Sequence, residues 1–319
     1  MTFSTGDGKT IQLGSQLGKP GGEGTVYKVT GRPDMVAKIY HPPKRTSARE
    51  SKIHAMVARK PAERTIIDKK SSKQVPTLTW PEDVVLENGR FAGFLMRAID
   101  LGQAAEIAII ENPQRRENRS WTKIMGLGLR SNIAMNLAFV VSQIHSVNAV
   151  IGDFNERNVI VSKALIVSII DCDSMQILDP SGHYHLCEVF APGFLAPELV
   201  GKDLKKTVRP MESDLFNLAV HIYYLLMDRH PFRNGIYSGA GDKPSAENLA
   251  RQGQWRGRSG GVLKPTEPRS LDPRIFLPPS TLQLFKRAFE DGATSPAARP
   301  KATEWTNELR QFIGNWRYS

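Results

Sequence analysis

One short stretch constrains this chain more than any other, the segment VIGDFNERNVIVSKALIVSIIDCDS at residues 150–174. Its apolar runs NVIV and LIVSII indicate two short, buried strands. Asp153, Asn158 and Asp171 stand at the ends of these runs, where strands emerge from a sheet. Carboxylate and amide oxygens suit Mg²⁺, which takes few protein ligands and completes its octahedron with water and phosphate oxygens. The stretch therefore predicts a metal and phosphate site whose phosphate-binding groups come from another part of the chain.

Length and composition favour an ordinary globular protein. A chain of 319 residues can bury a sizeable core and is expected to form two domains or one bilobal unit. The start MTFSTGDGKTIQLG lacks a secretory signal pattern, and the longest apolar run, residues 216–227, is too short to span a bilayer. Cys172 and Cys187 form no CxxC pair, which excludes zinc-ligand spacing and a disulfide framework. We therefore expect a cytoplasmic protein without a membrane partner.

Hydrophobic patterns divide the chain into a strand-rich first part and a helical remainder. Before residue 100 the runs are strand-like, and Asn88 and Gly89 between two of them predict a hairpin turn. One helix interrupts these strands behind Glu50. Helical patterns then cover residues 130–147, 216–227, 280–292 and 302–316. We predict an α+β bilobal fold, with a small antiparallel-sheet lobe at residues 1–98 and a larger helical lobe at residues 99–319.

A glycine-rich loop near the start is the first candidate for phosphate binding. In LGKPGGEGTVYKV the glycines stand between two strand patterns, at Gly18, Gly21, Gly22 and Gly24. Glycines allow backbone amides to approach phosphate oxygens closely, so such a loop can cover a triphosphate. A simple glycine-rich hairpin turn is the alternative interpretation.

Two charged residues after this loop form a candidate pair. Lys38 lies inside the apolar strand VAKIY, and Glu50 begins the apolar face of the first helix. An inward ammonium needs an anion, which Glu50 can supply. The alternatives are a strand-edge lysine that points to solvent and a glutamate on a solvated helix face.

Taken in order, these motifs resemble those of the eukaryotic-type protein kinases, over nearly the whole chain. The spacing agrees, because Asn158 follows Asp153 by five residues and Asp171 follows Asn158 by the length of a strand, a turn and a strand. Within the family, the chain is similar to bacterial kinases that have the variant loop GDxNxxN and are often associated with helix-hairpin-helix modules. The motifs are the glycine loop, VAK at Lys38, Glu50, GDFNERN in place of HRDxxxxN, DCD in place of DFG, APE at 196–198, Asp214 and Arg299.

The resemblance implies an ATP-dependent protein kinase that transfers the γ-phosphoryl group to a protein hydroxyl. It assigns catalytic roles to Asp153, Lys38 and Glu50: Lys38 holds the α and β phosphates, Glu50 orients Lys38, and Asp153 accepts or orients the hydroxyl proton. Asn158 and Asp171 bind Mg²⁺, for which Mn²⁺ can substitute. The predicted nucleotide-binding residues are Gly18, Gly21, Gly22, Gly24, Lys38, the adenine-lining Val26, Val36, Ile160 and Ile170, the gatekeeper Met96, and the backbone of Arg97, Ala98 and Ile99.

Two further motifs have structural roles in the family. Glu198 and Arg299 resemble the buried ion pair that ties the activation segment, residues 172–197, to the helical lobe. Asp214 resembles the residue that fixes the catalytic-loop backbone. Surface charges and a helix cap are the alternative interpretations of these residues.

The catalytic loop departs from the family pattern. Ile151 and Gly152 replace the residues HR before the catalytic aspartate. Asn155 stands where serine/threonine kinases carry a lysine, and Arg157 stands where tyrosine kinases often carry arginine. The general form of GFLAPELV favours serine/threonine specificity.

The metal-binding motif departs as well. Cys172 stands in place of the DFG phenylalanine, and Asp173 in place of its glycine. Asp173 could therefore compete with Asp171 for the metal. The strand that leads directly into Asp171 favours Asp171 as the ligand.

Two other classes of function stay open at this point. One is a pseudokinase scaffold that binds nucleotide or a regulatory protein partner, although retention of every catalytic residue type favours activity. The other is a nucleic-acid-associated module, because the net charge is +11 and residues 41–75 hold ten Lys or Arg against three acids. This stretch has no aromatic residues for base stacking, so a solvated helix face is the favoured interpretation.

Overall fold

The first part of the chain forms a curled antiparallel sheet with one long helix. A computed structural model describes residues 2–68, 72–117, 120–191, 193–233, 235–266, 268 and 271–316. The helix is α1 (Ser47–Ala58). The strands are β1 (Phe3–Thr5), β2 (Thr10–Ile11), β3 (Leu13–Leu17), β4 (Gly24–Val29), β5 (Arg32–Tyr40), β6 (Thr65–Ile67), β7 (Gln74–Pro76), β8 (Asp83–Glu87) and β9 (Arg90–Arg97).

Seven of these strands form one sheet in the order β2-β1-β8-β9-β5-β4-β3. The turn between β8 and β9 contains Asn88 and Gly89, with φ angles of 50° and 77°. Asparagine and glycine tolerate this left-handed region, which two-residue hairpin turns require. The predicted hairpin is therefore confirmed. The strands β6 and β7 pair separately.

Helix α1 covers the predicted helix and begins at Ser47, three residues before Glu50. The Thr46 side chain accepts a hydrogen bond from the Arg49 backbone amide at 3.2 Å and caps the first turn. Ile53 and Met56 lie one turn apart and are fully buried in the core. The Trp80 indole also donates to the Met56 carbonyl at 2.8 Å. These contacts fasten one face of α1 to the rest of the sheet lobe.

The second part of the chain is mostly helical. Its helices are α2 (Ile107–Glu111), α3 (Pro113–Arg116), α4 (Leu127–His145), α5 (Met211–Met227), α6 (Ala246–Arg251), α7 (Pro273–Phe276), α8 (Pro279–Lys286), α9 (Gly292–Thr294) and α10 (Ala302–Trp316). Its strands are β10 (Ala104–Glu106), β11 (Val159–Ser162), β12 (Val167–Ile169), β13 (Ile177–Leu178), β14 (Tyr184–His185), β15 (Ile236–Tyr237) and β16 (Leu263–Lys264).

The long helices form the core of this part. Helix α4 packs between α5 and α10, and an aromatic cluster closes the far end, with Phe285 and Trp305 rings 4.8 Å apart. Both side chains are fully buried. The predicted helices over 130–147, 216–227 and 302–316 are confirmed. None of the helices that the structure describes combines the length and apolar character needed to cross a membrane.

The strands predicted from NVIV and LIVSII pair with each other as β11 and β12, and β10 adds a third strand. The segment before β8 joins the two parts of the molecule: the Thr79 amide donates to the Ile169 carbonyl at 3.1 Å, and the Ile169 amide donates to the Thr77 carbonyl at 2.9 Å. The ends of β11 and β12 therefore lie beneath the first sheet, which brings the candidate residues of both parts together.

Candidate active site

A cavity of about 740 Å³ lies between the glycine loop and the ends of β11 and β12. Lys38, Asp153, Asp171 and Asp173 line it, together with Arg49 and Lys52 of α1. Residues 183–186 and 188–189 of the activation segment line another side. The structure thus brings predicted residues from four separate parts of the chain to one place.

The glycine loop covers this cavity through Gly21, Gly22 and Gly24. A side chain at Gly24 would clash, because a β-carbon there would lie 2.5 Å from the Ile39 carbonyl oxygen. The Gly21 amide donates to the Gly24 carbonyl at 3.0 Å and closes the loop. Gly18 has a positive φ of 67° but does not line the cavity. Its predicted place in the nucleotide site stays a prediction.

Lys38 points inward, as the sequence predicted. Its ammonium lies 2.8 Å from both carboxylate oxygens of Asp173 and 3.3 Å from Asp171 Oδ1. Burial disfavours the charged lysine, but the two aspartates outweigh it and raise the pKa of Lys38 above its ordinary value. The ammonium is therefore a permanent cation at the floor of the cavity.

The expected pair between Lys38 and Glu50 is absent from this arrangement. Within the described residues, the ion pairs of Lys38 go to Asp173 and Asp171, and Glu50 makes no ion pair. Helix α1 instead directs Arg49 and Lys52 toward the cavity. The sequence predicted a carboxylate partner for Lys38, and Lys38 has one. The carboxylates come from Asp171 and Asp173 after β12 and not from Glu50 of α1.

Asp171 and Asp173 differ sharply in exposure. The Asp171 side chain is 57% exposed, whereas that of Asp173 is 3% exposed. Asp171 has a left-handed backbone, with φ 56°, and precedes a short 3₁₀ turn over Cys172–Ser174. Both Asp173 oxygens are engaged by Lys38, and the Tyr40 hydroxyl donates to Oδ2 at 2.8 Å. Asp171 therefore has oxygen atoms free for a metal, and Asp173 does not.

The surroundings of Asp173 keep it ionised. Burial alone would favour the neutral acid, but the Lys38 ammonium and the Tyr40 hydroxyl outweigh burial and lower the pKa of Asp173. The neighbouring Cys172 is fully buried, and burial raises the pKa of its thiol to about 12. Cys172 is thus a neutral packing residue, in the position that the resemblance assigns to phenylalanine.

Asp153 and Asn158 meet as the five-residue spacing predicted. The side-chain NH₂ group of Asn158 donates to the backbone carbonyl of Asp153 at 3.0 Å and to Asp153 Oδ2 at 3.1 Å. The backbone carbonyl of Asn158 in turn accepts a hydrogen bond from the backbone amide of Ile170 at 2.9 Å. This last bond ties the catalytic loop to the strand end that carries Asp171. The three polar residues of the opening stretch therefore share one rigid frame.

Asp214 fixes the catalytic-loop backbone, and this prediction is confirmed. Its fully buried carboxylate accepts hydrogen bonds from the amides of Ile151 at 2.7 Å and Gly152 at 3.0 Å. His145 at the end of α4 contacts the same carboxylate at 3.0 Å. Charge-assisted bonds to backbone amides are strong and directional, so they hold the residues before Asp153 in one geometry.

The predicted pair of Glu198 and Arg299 is also present. Arg299 Nη1 and Nη2 each lie 2.7 Å from a Glu198 oxygen, in a bidentate arrangement. The Arg299 side chain is fully buried and also donates to the carbonyls of Glu212 and Gly292. This network joins the end of the activation segment to α5 and to the turn before α10.

The predicted adenine-lining residues lie on the inner side of the sheet and on the strands below it. Val36 of β5 stands directly opposite Met96 of β9, and both are buried. Ile160 is buried as well, and Val26 lines the cavity. The Ala98 amide donates to the Asp34 carbonyl at 2.9 Å, so it is not free to bind a base.

Four of the ten basic residues at 41–75 form ion pairs within the described part of the fold. Arg45 pairs with Glu87, Arg49 pairs with Glu23 at 2.7 Å, and both Lys60 and Arg64 pair with Glu82 at 3.1 Å. Lys69 and Lys70 lie outside the described residues. A solvated helix and loop surface, rather than a nucleic-acid-binding patch, stays the favoured prediction for this stretch.

Some functional contacts were not predicted from the sequence. Tyr40 lies two residues after Lys38 on β5, so both side chains share one face of the strand, and this spacing was the available signal. Arg209 approaches Gly152 from a distant segment: a β-carbon at Gly152 would lie 2.9 Å from Arg209 Nη1. No local pattern in the sequence indicates that contact.

Comparison with known proteins gives two kinds of similarity, although no family model matches the chain. The chain is similar to protein kinase YegI of Escherichia coli O157:H7, with 31% identity over 324 residues, and of strain K12, with 30% identity over 328 residues. These alignments cover 97% of this chain and 46% of each relative, so the chain spans about half the length of the curated relatives it matches.

The fold is similar to a solved kinase domain. The ROP18 kinase domain in complex with AMP-PNP and sucrose matches with a TM-score of 0.58 at 15% identity, over 100% of this chain and 87% of that chain. The likeness confirms the predicted bilobal kinase-like fold, with a small antiparallel-sheet lobe and a larger helical lobe.

Proposed function

We propose that the chain is an ATP-dependent protein kinase that transfers the γ-phosphoryl group to a hydroxyl group of a protein. The observation that carries this proposal is the convergence of Lys38, Asp153 and Asp171 in one cavity beneath the glycine loop. A cation for phosphates, a metal-binding carboxylate and a base for the hydroxyl are the groups that phosphoryl transfer requires. The similarity to protein kinase YegI supports the same reaction.

Nucleotide binding is proposed to occur between the lobe at residues 1–98 and the lobe at residues 99–319. The base would lie between Val26 and Val36 above and Ile160 and Ile170 below, with Met96 at its edge. Because the Ala98 amide is already bonded, the backbone of Arg97 and Ile99 would supply the polar contacts to the base. The solved ROP18 kinase domain of similar fold is in complex with AMP-PNP, which supports nucleotide binding by this fold.

The residues around the cavity fit a divalent cation. Asp171 lines the cavity and offers exposed carboxylate oxygens, whereas Asn158 stands directly before β11 and bonds Asp153 through its side-chain NH₂ group. These two residues would hold Mg²⁺ or Mn²⁺, which supplies neutralisation of phosphate charge when bound. Asp173 does not fit this role, since Lys38 and Tyr40 already occupy its oxygens.

The chain's own groups mainly position the reactants. Lys38 would bind the α and β phosphates, and the amides at Gly21 and Gly22 would lie over them. Asp153 would accept or orient the hydroxyl proton, from a backbone that Asp214 holds in place. Because the transition state is loose, most of the rate enhancement comes from alignment and charge stabilisation.

Serine/threonine specificity is part of the proposal and rests on the general form of GFLAPELV before α5. The subfamily of bacterial kinases associated with helix-hairpin-helix modules also stays a prediction, which rests on GDFNERN. A regulatory protein partner is proposed in place of activation by phosphorylation.

The test is incubation of the purified chain with γ-labelled ATP and Mg²⁺ or Mn²⁺, alone and with a generic acceptor protein. We expect labelled acceptor from the wild type and none from Asp153→Asn or Asp171→Asn. The matched control is Asp242→Asn, an exposed carboxylate that does not line the cavity. If the wild type binds nucleotide but labels nothing, the chain is a scaffold. Retention on DNA that weakens with salt would instead favour the nucleic-acid alternative.

A further inference from the structure

The buried carboxylate of Asp173 lies two residues after the proposed metal ligand Asp171 and has no role in the proposed phosphoryl transfer. Asp173 is 3% exposed and receives three hydrogen bonds, two from the Lys38 ammonium and one from the Tyr40 hydroxyl, all at 2.8 Å. Lys38 and Tyr40 are alternate residues of β5, so their side chains reach Asp173 from the same face. The carboxylate of Asp173 therefore accepts all three hydrogen bonds from side chains of a single strand, β5.

Helix α1 presents basic side chains, and no acidic one, to this cavity. Its cavity-lining residues include Arg49 and Lys52, while Glu50 makes no ion pair within the described residues. Arg49 bonds Glu23 of the glycine loop at 2.7 Å and lies 4.6 Å from the centre of the Tyr40 ring. The Lys52 ammonium contacts the Leu186 carbonyl at 3.5 Å. The helix thus contacts the loop and the activation segment, and it supplies no anion to Lys38.

We propose that Asp173, supported by the Tyr40 hydroxyl, is the positioning residue that aims Lys38 at the nucleotide phosphates, in place of a glutamate of α1. This inference rests on the proposed function. The two aspartates then have different roles. Asp173 positions the lysine, and Asp171, with 57% of its side chain exposed, is the residue for the nucleotide and the metal.

This arrangement has a consequence for control of the site. Asp171 and Asp173 belong to one short turn, and the Ser174 amide closes it by donating to the Asp171 carbonyl at 3.0 Å. The lysine and the metal ligand are therefore set by the same turn. A displacement of α1 would leave the Lys38 contact intact, whereas a displacement of this turn would disrupt both.

The experiment compares Asp173→Asn with Glu50→Gln, two isosteric changes that each remove one negative charge. Turnover is measured against ATP concentration, and ATP affinity is measured separately with and without Mg²⁺. Asp173→Asn should lower kcat/KM for ATP about ten- to a hundredfold, because it removes the charge from the hydrogen bonds that hold the ammonium. Glu50→Gln should lower kcat/KM for ATP much less than Asp173→Asn does, and the effect of Tyr40→Phe should fall between the two.

A double-mutant cycle separates positioning from loss of structure. In a Lys38→Ala background, Asp173→Asn should have little further effect on ATP affinity, because the group it positions is gone. Full additivity of the two changes would mean that Asp173 acts only through stability and would overturn the inference. If Asp173→Asn does not fold, Tyr40→Phe in the same cycle decides the matter, since it retains the carboxylate.

Failure of the inference is distinct from failure of the proposed function. If the wild type transfers phosphate and Glu50→Gln is the more damaging change, the assignment to Asp173 is wrong and the kinase activity stands. If the wild type transfers no phosphate, the kinase proposal fails, and the cycle on ATP affinity still tests the pairing of Asp173 with Lys38.

Discussion

Arg209 occupies the space beside Gly152, the residue directly before Asp153. A β-carbon at residue 152 would lie 2.9 Å from Arg209 Nη1 and 2.8 Å from Cys187 Sγ, and the backbone there has a positive φ of 70°. Arg209 Nη2 donates to the Val189 carbonyl at 2.6 Å. A cation from a distant segment therefore anchors the backbone of the activation segment next to the catalytic loop.

We predict that the activation segment needs no phosphate. Many kinases place an arginine before the catalytic aspartate to bind such a phosphate, but here that position has no side chain. Ser174 and Ser181 already donate hydrogen bonds, to the Asp171 carbonyl at 2.8 Å and to Asp179 at 2.6 Å. A variant with Ser174→Ala, Ser181→Ala and Tyr184→Phe should retain most of its turnover on an exogenous acceptor. Loss of activity that an acidic residue at one of these sites restores would contradict the prediction.

Removal of Lys38 should be far more damaging than removal of a lysine in the basic stretch. Lys38→Ala removes the cation at the cavity floor and should lower turnover of ATP about a hundredfold or more. Lys60→Ala is the suitable control, because Lys60 pairs with Glu82 away from the cavity, whereas Lys52 lines it. Steady-state turnover at saturating and limiting ATP measures both variants. Equal losses would exclude the proposed phosphate site.

The pair of Glu198 and Arg299 should contribute much more to stability than a similar pair on the surface. Glu198→Ala leaves the fully buried Arg299 guanidinium without its anion and should lower the free energy of unfolding by about 3 to 5 kcal/mol. Asp291→Ala breaks the exposed pair with Lys286 and should cost much less. Urea denaturation of the two variants gives the comparison. Similar losses would show that burial of the Arg299 pair has no special effect.

Stability should fall in mild acid because of His230. Burial, with help from the Arg233 charge, lowers the pKa of this histidine from 6.5 to about 3. Between these values the unfolded chain binds a proton that the folded chain does not, so stability decreases as the pH falls below the unfolded pKa. His230→Gln can retain an acceptor for the Phe232 amide but does not titrate. From about pH 7 to about pH 5, the wild type should lose about 2 kcal/mol more than this variant. Parallel loss in both proteins would contradict the assigned pKa.

Local patterns in the sequence predicted several of the strands and helices and one contact within the candidate site. The alternation of apolar runs predicted β11 and β12, and the pair Asn88 and Gly89 predicted the turn between β8 and β9. The five-residue spacing brought Asp153 and Asn158 into contact. These features depend on backbone preference and on neighbours in sequence, so they are encoded within a few residues.

The tertiary structure alone decided which charged groups meet across long separations. Lys38 and Asp173 are 135 residues apart, and both Glu50 and Asp173 were available carboxylates in the sequence. Which of them reaches the ammonium depends on the rotation of α1 against the sheet and on the turn after β12. The same holds for Arg209 and Gly152. A glycine leaves space beside the backbone, but the sequence does not specify which distant side chain occupies that space. Dense packing admits one arrangement of such groups, and that arrangement follows from the whole fold and not from local pattern.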